Sequence, residues 1–278
     1  MNAGTIESSL NLLRLVRMST DAIGVAVSFG KDSLAVLDLC CQVFRRVEGY
    51  YLYRVRGLRI VDEWAEAVEQ RHGVSVRMYP HFDLSRCYKN AVLQPHWKET
   101  AKTPRVKMAD IESRFRNEAN VDWIAYGWRK NDSFARAIIL KQCRGFDDKG
   151  RRVFPIRMWR RGDVYEYLQQ RGIPLPSGLG RKDQGGLDFH PAALAELREK
   201  YPDDWAKWVR DFPFAGLQLA NGIVPTFHDT EPAASAEQDS TAASNTAPPR
   251  TDQLDRQAKP RRQAARRRAG SRKEGLPA

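Results

Sequence analysis

The stretch Gly24-Val25-Ala26-Val27-Ser28-Phe29-Gly30-Lys31-Asp32-Ser33-Leu34-Ala35-Val36-Leu37 decides the fold of this 278-residue chain. Gly24 to Val27 read as a buried strand, Ser28 to Ser33 as a turn, and Leu34 to Leu37 as the opening of a helix. A strand, a small-residue turn and a helix start, in that order, make an anion cradle. The first N–H groups of a helix lack intrahelical acceptors, and the helix dipole is positive at that end. Ser28 and Ser33 add hydroxyl donors, and Lys31 adds a full charge. Two commoner phosphate loops are excluded. A Walker A loop needs glycine where Val25 stands and Ser or Thr where Asp32 stands, and the dinucleotide fingerprint G-x-G-x-x-G is absent from this turn.

A second segment repeats the logic. Val121-Asp122-Trp123-Ile124-Ala125-Tyr126 reads as a buried strand that runs into Gly127-Trp128-Arg129-Lys130-Asn131-Asp132-Ser133-Phe134-Ala135-Arg136. Asp132 or Ser133 can cap the following helix, and Arg136 falls at i,i+4 from Asp132. Arg129 and Arg136 therefore project from the carboxyl end of a strand, where open α/β sheets bind ligands. Two arginines there suit phosphate or sulfate.

The first segment resembles the PP-loop, S-x-G-K-D-S, of the N-type ATP pyrophosphatases and their sulfonucleotide-reductase relatives. The second resembles the G-x-R-x-x-[DE]-S-x-x-R signature of the phosphoadenosine phosphosulfate (PAPS) reductase family. A third match follows in the family's order: Phe154-Pro155-Ile156-Arg157-Met158-Trp159, then Asp163-Val164-Tyr165-Glu166-Tyr167-Leu168, is similar to its P-[IL]-x-x-W…D-V-W-x-Y-[IL] segment. The resemblance implies an adenine nucleotide α-hydrolase-like fold. It also implies that Ser28, Phe29, Gly30, Lys31, Asp32, Ser33, Gly127, Arg129, Ser133 and Arg136 hold an adenine nucleotide, ATP or alternatively PAPS. Lys31, Asp32, Arg129 and Arg136 are the expected catalytic residues, with Asp32 orienting the loop or helping to place Mg²⁺.

The chain departs from that family in its thiols. The reductases work through a cysteine in a Glu-Cys-Gly-[IL] setting near the C-terminus, and the assimilatory type adds Cys-Cys and C-x-x-C ligands for an iron–sulfur cluster. This sequence has no cysteine after Cys143 and no C-x-x-C anywhere. Cys40 and Cys41 fall in the helix after the PP-loop, where adjacent side chains point about 100° apart, so they read as one core thiol and one flanking thiol. No iron–sulfur cluster and no protein-ligated metal are expected. Adenylation of an acceptor with release of pyrophosphate is the favoured chemistry, in sulfur-related or nucleic-acid modification. A genuine sulfonucleotide reductase and a non-catalytic nucleotide-binding regulator are the alternatives.

The alternation of apolar and polar stretches predicts an open, mostly parallel five-stranded sheet with helices on both faces. The strands are expected at 23–27, 50–55, 74–79, 123–126 and 153–156, and the helices at 33–45, 61–71, 84–92, 108–120, 133–143 and 163–170. Residues 1–20 read as an N-terminal docking helix, 21–176 as the nucleotide-binding α/β domain, and 177–224 as a loop followed by one helical stretch over 191–212. Residues 225–278 read as a disordered tail, basic at its end with Arg261-Arg262 and Arg266-Arg267-Arg268. The net charge of +12 suits a phosphate ligand in the core and nucleic acid on the tail. A homodimer or a partner protein stays open. The N-terminal stretch lacks a long apolar run and a small-residue cleavage site, the four cysteines lack disulfide-like spacing, and no window reaches membrane-spanning length; a cytoplasmic protein is expected.

Overall fold

A computed structural model of the chain describes residues 3–96, 102–175 and 187–221. Strands β1 (Ala22–Ala26), β2 (Arg46–Tyr53), β3 (Val76–Pro80), β4 (Ile124–Ala125), β5 (Phe146–Asp147) and β6 (Arg152–Val153) form one six-stranded sheet in the order β3-β2-β1-β4-β6-β5. The pairings along β3-β2-β1-β4-β6 are parallel, and β5 pairs antiparallel with β6. The five parallel strands are those expected; the sixth was not. Phe146-Asp147 carries one apolar residue in a polar stretch, too short for periodicity to register, and only the 148–151 turn folds it back onto β6.

The order of the strands places the site. From β1 the chain steps outward through β2 to β3, then returns to lay β4 on the other flank of β1. The direction reverses between β1 and β4, and a crevice opens at the carboxyl ends of strands at such a switch point.

Helices α1 (Ala3–Arg17), α2 (Lys31–Val43), α3 (Arg59–His72) and α7 (Arg161–Gln170) contribute to one apolar core, with Ile23, Val25 and Val27 of the β1 strand and its exit. On the other face, Phe115 of α5 (Met108–Ala119) and Leu140 of α6 (Phe134–Gln142) pack with Ala22, Tyr50, Tyr79 and Ile124. This in-and-out alternation is the period-2 geometry of a strand covered on both faces. Gly24 has a steric reason: a Cβ there would stand 2.4 Å from a ring carbon of Phe115. That second core also buries Glu112, which accepts two-pronged bonds from Arg152 at 2.9 Å and a short bond from the Tyr126 hydroxyl. Trp159 and Tyr167 of the third motif are core residues; Trp159 donates to Ser9 Oγ of α1 at 2.8 Å.

Several element ends differ from the sequence expectation. Helix α2 starts at Lys31, two residues early, because Gly30 is its N-cap. Strand β2 begins at Arg46, with Glu48 salt-bridged to Arg77 and Arg46. Helix α4 (Leu84–Lys89) ends before the expected 92, where Ala91 and Leu93 turn left-handed. Strand β6 stops at Val153 because Pro155 has no N–H to donate.

The expected helical stretch over 191–212 is two helices, α8 (Pro191–Lys200) and α9 (Pro202–Asp211), followed by α10 (Ala215–Asn221). Pro202 opens α9 and forces Tyr201 out of the helical region, to φ −134° and ψ 67°. The C-terminal helices dock through Asp204, almost fully buried, whose carboxylate accepts the Arg59 and Ile60 amides at 2.8 and 3.0 Å and so caps α3. The expected loop over 177–186 and the basic tail lie outside the described residues.

Candidate functional site

The turn after β1 is held in shape by its own side chains. Phe29 adopts φ 58°, a left-handed conformation unusual for a non-glycine residue, and its ring is buried against Tyr51 and Trp64 at centroid distances of 5.0 and 5.6 Å. That anchor fixes the turn. The Phe29 ring is thereby committed to the core. Ser33 Oγ donates to Gly30 O at 2.9 Å and accepts the Ser28 amide at 3.2 Å. Its hydroxyl braces the loop from inside, while Ser28 remains exposed at the mouth.

The exit of β4 lies directly against this loop. A Cβ on Gly127 would stand 2.9 Å from the Asp32 carbonyl carbon, so glycine is required for the two segments to approach. Across the contact, Asp32 Oδ1 meets Arg129 Nε at 2.8 Å and Asp32 Oδ2 meets Lys31 Nζ at 2.9 Å. Arg129 turns its other edge to Asp132 Oδ1 at 2.7 Å, and Asp132 Oδ2 accepts from Arg136 at 3.2 Å and from the Arg129 amide at 3.0 Å. Ser133 caps α6 by accepting the Arg136 amide at 3.2 Å.

The result is one alternating chain of charges, Lys31, Asp32, Arg129, Asp132 and Arg136, running from the PP-loop to α6. Lys31 and Arg129 are buried, and the Arg136 side chain, 43% exposed, forms the outer end with its guanidinium over the Trp128 ring at 5.2 Å. Three cations against two carboxylates leave a net positive cluster at the carboxyl edge, beside the positive end of α2. The three motifs also share one model: residues 22–178 match the phosphoadenosine phosphosulfate reductase domain. The chain belongs to the PAPS reductase domain family. With that family it is a member of the adenine nucleotide alpha hydrolase-like superfamily.

Among solved structures, the chain is similar to the phosphoadenylyl-sulfate (PAPS) reductase of Candida auris, solved as a phosphate complex. The two are 13% identical with a TM-score of 0.44, and the match covers 66% of this chain and 96% of that one. No curated protein sequence matches the chain.

The structure brings every expected PP-loop residue and every expected residue of the second motif to the β1/β4 edge of this PAPS reductase domain. Sequence reasoning missed how they join: the Asp32–Arg129 pair has no sequence signal, since the two residues belong to separate strand exits. It also missed Arg54 and His81, which stand at the ends of β2 and β3. The thiols lie elsewhere. Burial drives the Cys40 thiol well above its ordinary range, lifts Cys41 to about 12 and Cys87 to about 11, and all three remain protonated at neutral pH. Among the described residues no cluster of His, Cys, Asp and Glu could hold a metal ion, and no helix is long and apolar enough to cross a membrane.

Proposed function

We propose that this PAPS reductase family member binds ATP with its polyphosphate on Ser28 to Ser33 and transfers adenylate to an acceptor. The acceptor's nucleophilic atom attacks the α-phosphorus, the bond from that phosphorus to the bridging oxygen breaks, and pyrophosphate leaves with the electron pair. The observation that carries the reading is the placement of Lys31 and Arg129 on either side of Asp32, where the PP-loop meets the β4 exit. Two buried cations held by one carboxylate are pre-positioned for the charge that develops on a transferring phosphoryl group.

Asp32 Oδ2 accepts a hydrogen bond from Lys31 at 2.9 Å, and Oδ1 lies 2.8 Å from Arg129 Nε as an ion contact without hydrogen-bond geometry. Both oxygens face cations, and among the described residues no cluster of His, Cys, Asp and Glu could hold a metal ion, so Mg²⁺ fits here as a companion of the nucleotide's phosphates. Binding and orientation fall to this chain's own groups: loop amides and Lys31 on the leaving phosphates, Arg129 and Arg136 on the transferring one.

Thiol-based reduction finds no support in these residues. Reduction needs a thiolate, and the buried Cys40 and Cys87 and the half-buried Cys41 resist ionisation. A nucleic-acid acceptor is favoured by one feature, the arginine-rich sequence from Arg250 to Lys273. Contact through it would be sequence-independent and weaken with salt by about 0.7 to 0.9 log–log units per phosphate.

Calorimetry with ATP and PAPS, together with an assay of pyrophosphate release, tests the reading. Lys31→Ala is expected to weaken ATP binding by about 1.5 to 3 kcal/mol, the loss of one charge-assisted hydrogen bond. Equal ATP affinity in the two proteins removes the loop assignment. ATP binding without pyrophosphate release under any acceptor favours the regulatory alternative, and thioredoxin-dependent sulfite release from PAPS restores the reductase.

A further inference from the structure

Arg54 and His81 follow directly on the last residues of β2 and β3, which lie one and two strands further from β4 than the β1 strand that leads into the PP-loop. Tyr53 and Pro80 are in register and the His81 amide donates to Tyr53 O at 2.8 Å, so the two side chains leave the sheet edge side by side. Arg54 Nη2 stands 3.5 Å from His81 Nε2. His81 Nδ1 accepts the Asp83 amide at 3.1 Å, which puts the proton of the neutral ring on Nε2. Two donors therefore face one another with no acceptor between them.

Arg54 is poorly satisfied otherwise. Nη1 reaches the Leu187 carbonyl only at 3.5 Å, Nε is buried without a hydrogen bond, and no carboxylate among the described residues pairs with the guanidinium. Phe189 lies against it at 5.6 Å and holds its plane. The nearest carboxylate to His81, Asp83, sits on the Nδ1 side at 3.7 Å and is bridged to Arg86 at 3.0 Å. Burial, with the Arg54 and Arg86 charges, holds the His81 pKa well below the ordinary imidazole range.

We propose that Arg54 and His81 form a second oxyanion subsite, separate from the PP-loop, that takes one phosphate, sulfate or carboxylate group. An oxygen about 2.9 Å from both nitrogens accepts from both, and turns a donor–donor contact into two hydrogen bonds, one of them charge-assisted. With strands about 4.8 Å apart and a rise of about 3.3 Å per residue, the subsite lies on the order of 10 Å from Ser28. One small-molecule assembly spans that distance. Placing the oxyanion on the acceptor of adenylate transfer rests on the function proposed above; the subsite itself does not.

The test follows the ¹H–¹⁵N signals of the His81 ring in the full chain during separate titrations with inorganic sulfate, phosphate and malonate. The signals are expected to move saturably in the wild type and in Lys31→Ala, with the response weakened at least tenfold in Arg54→Gln and partly kept in Arg54→Lys. A stronger response to sulfate and phosphate assigns a tetrahedral anion, and a stronger response to malonate a carboxylate. A His81 ring indifferent to all three anions overturns the proposal, as does an equal response in Arg54→Gln or a response abolished by Lys31→Ala. ATP calorimetry on the same proteins reads the PP-loop alone, so loss of one reading leaves the other standing.

Discussion

Asp32 and Arg129 meet at 2.8 Å across the switch point of the sheet, one at the first turn after β1 and the other at the exit of β4. The pair joins two segments that share no backbone ladder beyond Ala125, and it does so where Gly127 lets their main chains touch. Arg129 is 8% exposed at the side chain, so this contact is drier than a surface ion pair. Its two carboxylate partners keep some solvent, which moderates its worth.

Replacing Arg129 by Ala leaves Asp32 and Asp132 facing each other without their shared cation. The expected loss is about 2 to 4 kcal/mol of folding stability, below the range for a fully buried pair because both carboxylates are partly wet. Arg129→Lys keeps the charge but not the fork, and is expected to fold better while binding ATP more weakly than the wild type. Urea unfolding and calorimetry on both variants check this. Unchanged stability in Arg129→Ala would show that the pair does not hold the two strand exits together.

Asp204→Ala removes the cap of α3 supplied by α9. Two amides, the part-buried one of Arg59 and the buried one of Ile60, lose their acceptor. The expected cost is about 1 to 2 kcal/mol. Faster amide exchange should follow at Arg59 and Ile60, while exchange in β1 and β2 stays as it was.

His72 and His81 both carry lowered pKa values, in each case chiefly from burial, with Arg71 and Arg171 adding to it at His72 against the opposing pull of Asp38. The unfolded chain takes up protons below the ordinary value of 6.5 and the folded chain resists, so stability is full above that pH and is lost as pH falls through the folded values. Each histidine adds up to about 1.4 kcal/mol per pH unit to that acid limb. Melting curves between pH 7.5 and 5 should show a shallower acid limb in His81→Asn and in His72→Asn. An acid limb identical to wild type in both variants contradicts the burial argument.

No cysteine is expected to be required for turnover. Serine or alanine at Cys40, Cys41, Cys87 or Cys143, one at a time, should leave activity within several-fold, with packing losses of about 1 to 3 kcal/mol at the buried positions. Unfolded thiols ionise near 9, while Cys41 and Cys87 do so at about 12 and 11; their contribution to stability is present below pH 9 and fades above it. Iodoacetamide at pH 8 should therefore label the native protein far more slowly than the urea-unfolded one. Rapid native labelling at Cys41 would reveal a thiolate that the packing argument denies.

The strand, turn and helix around Lys31 were legible in the sequence because each rests on local physics: apolar β-branched residues before a glycine turn, and helix formers after it. The same holds for the Ser133 cap, the i,i+4 pair of Asp132 and Arg136, and the core places of Trp159 and Tyr167. Local pattern by itself therefore determined the parallel α/β class and the segments that carry the candidate site.

Tertiary structure alone decided which strand ends became neighbours. Strand order is set by crossovers that leave no mark in periodicity, so the Asp32–Arg129 pair, the β5 edge strand and the meeting of Arg54 with His81 could not be read from the chain. Nor could the capping of α3 by Asp204, because an Asp inside one helix carries no local sign that it satisfies the amides of another. Those contacts join residues far apart in sequence, and their energy exists only once the sheet has brought its strands side by side.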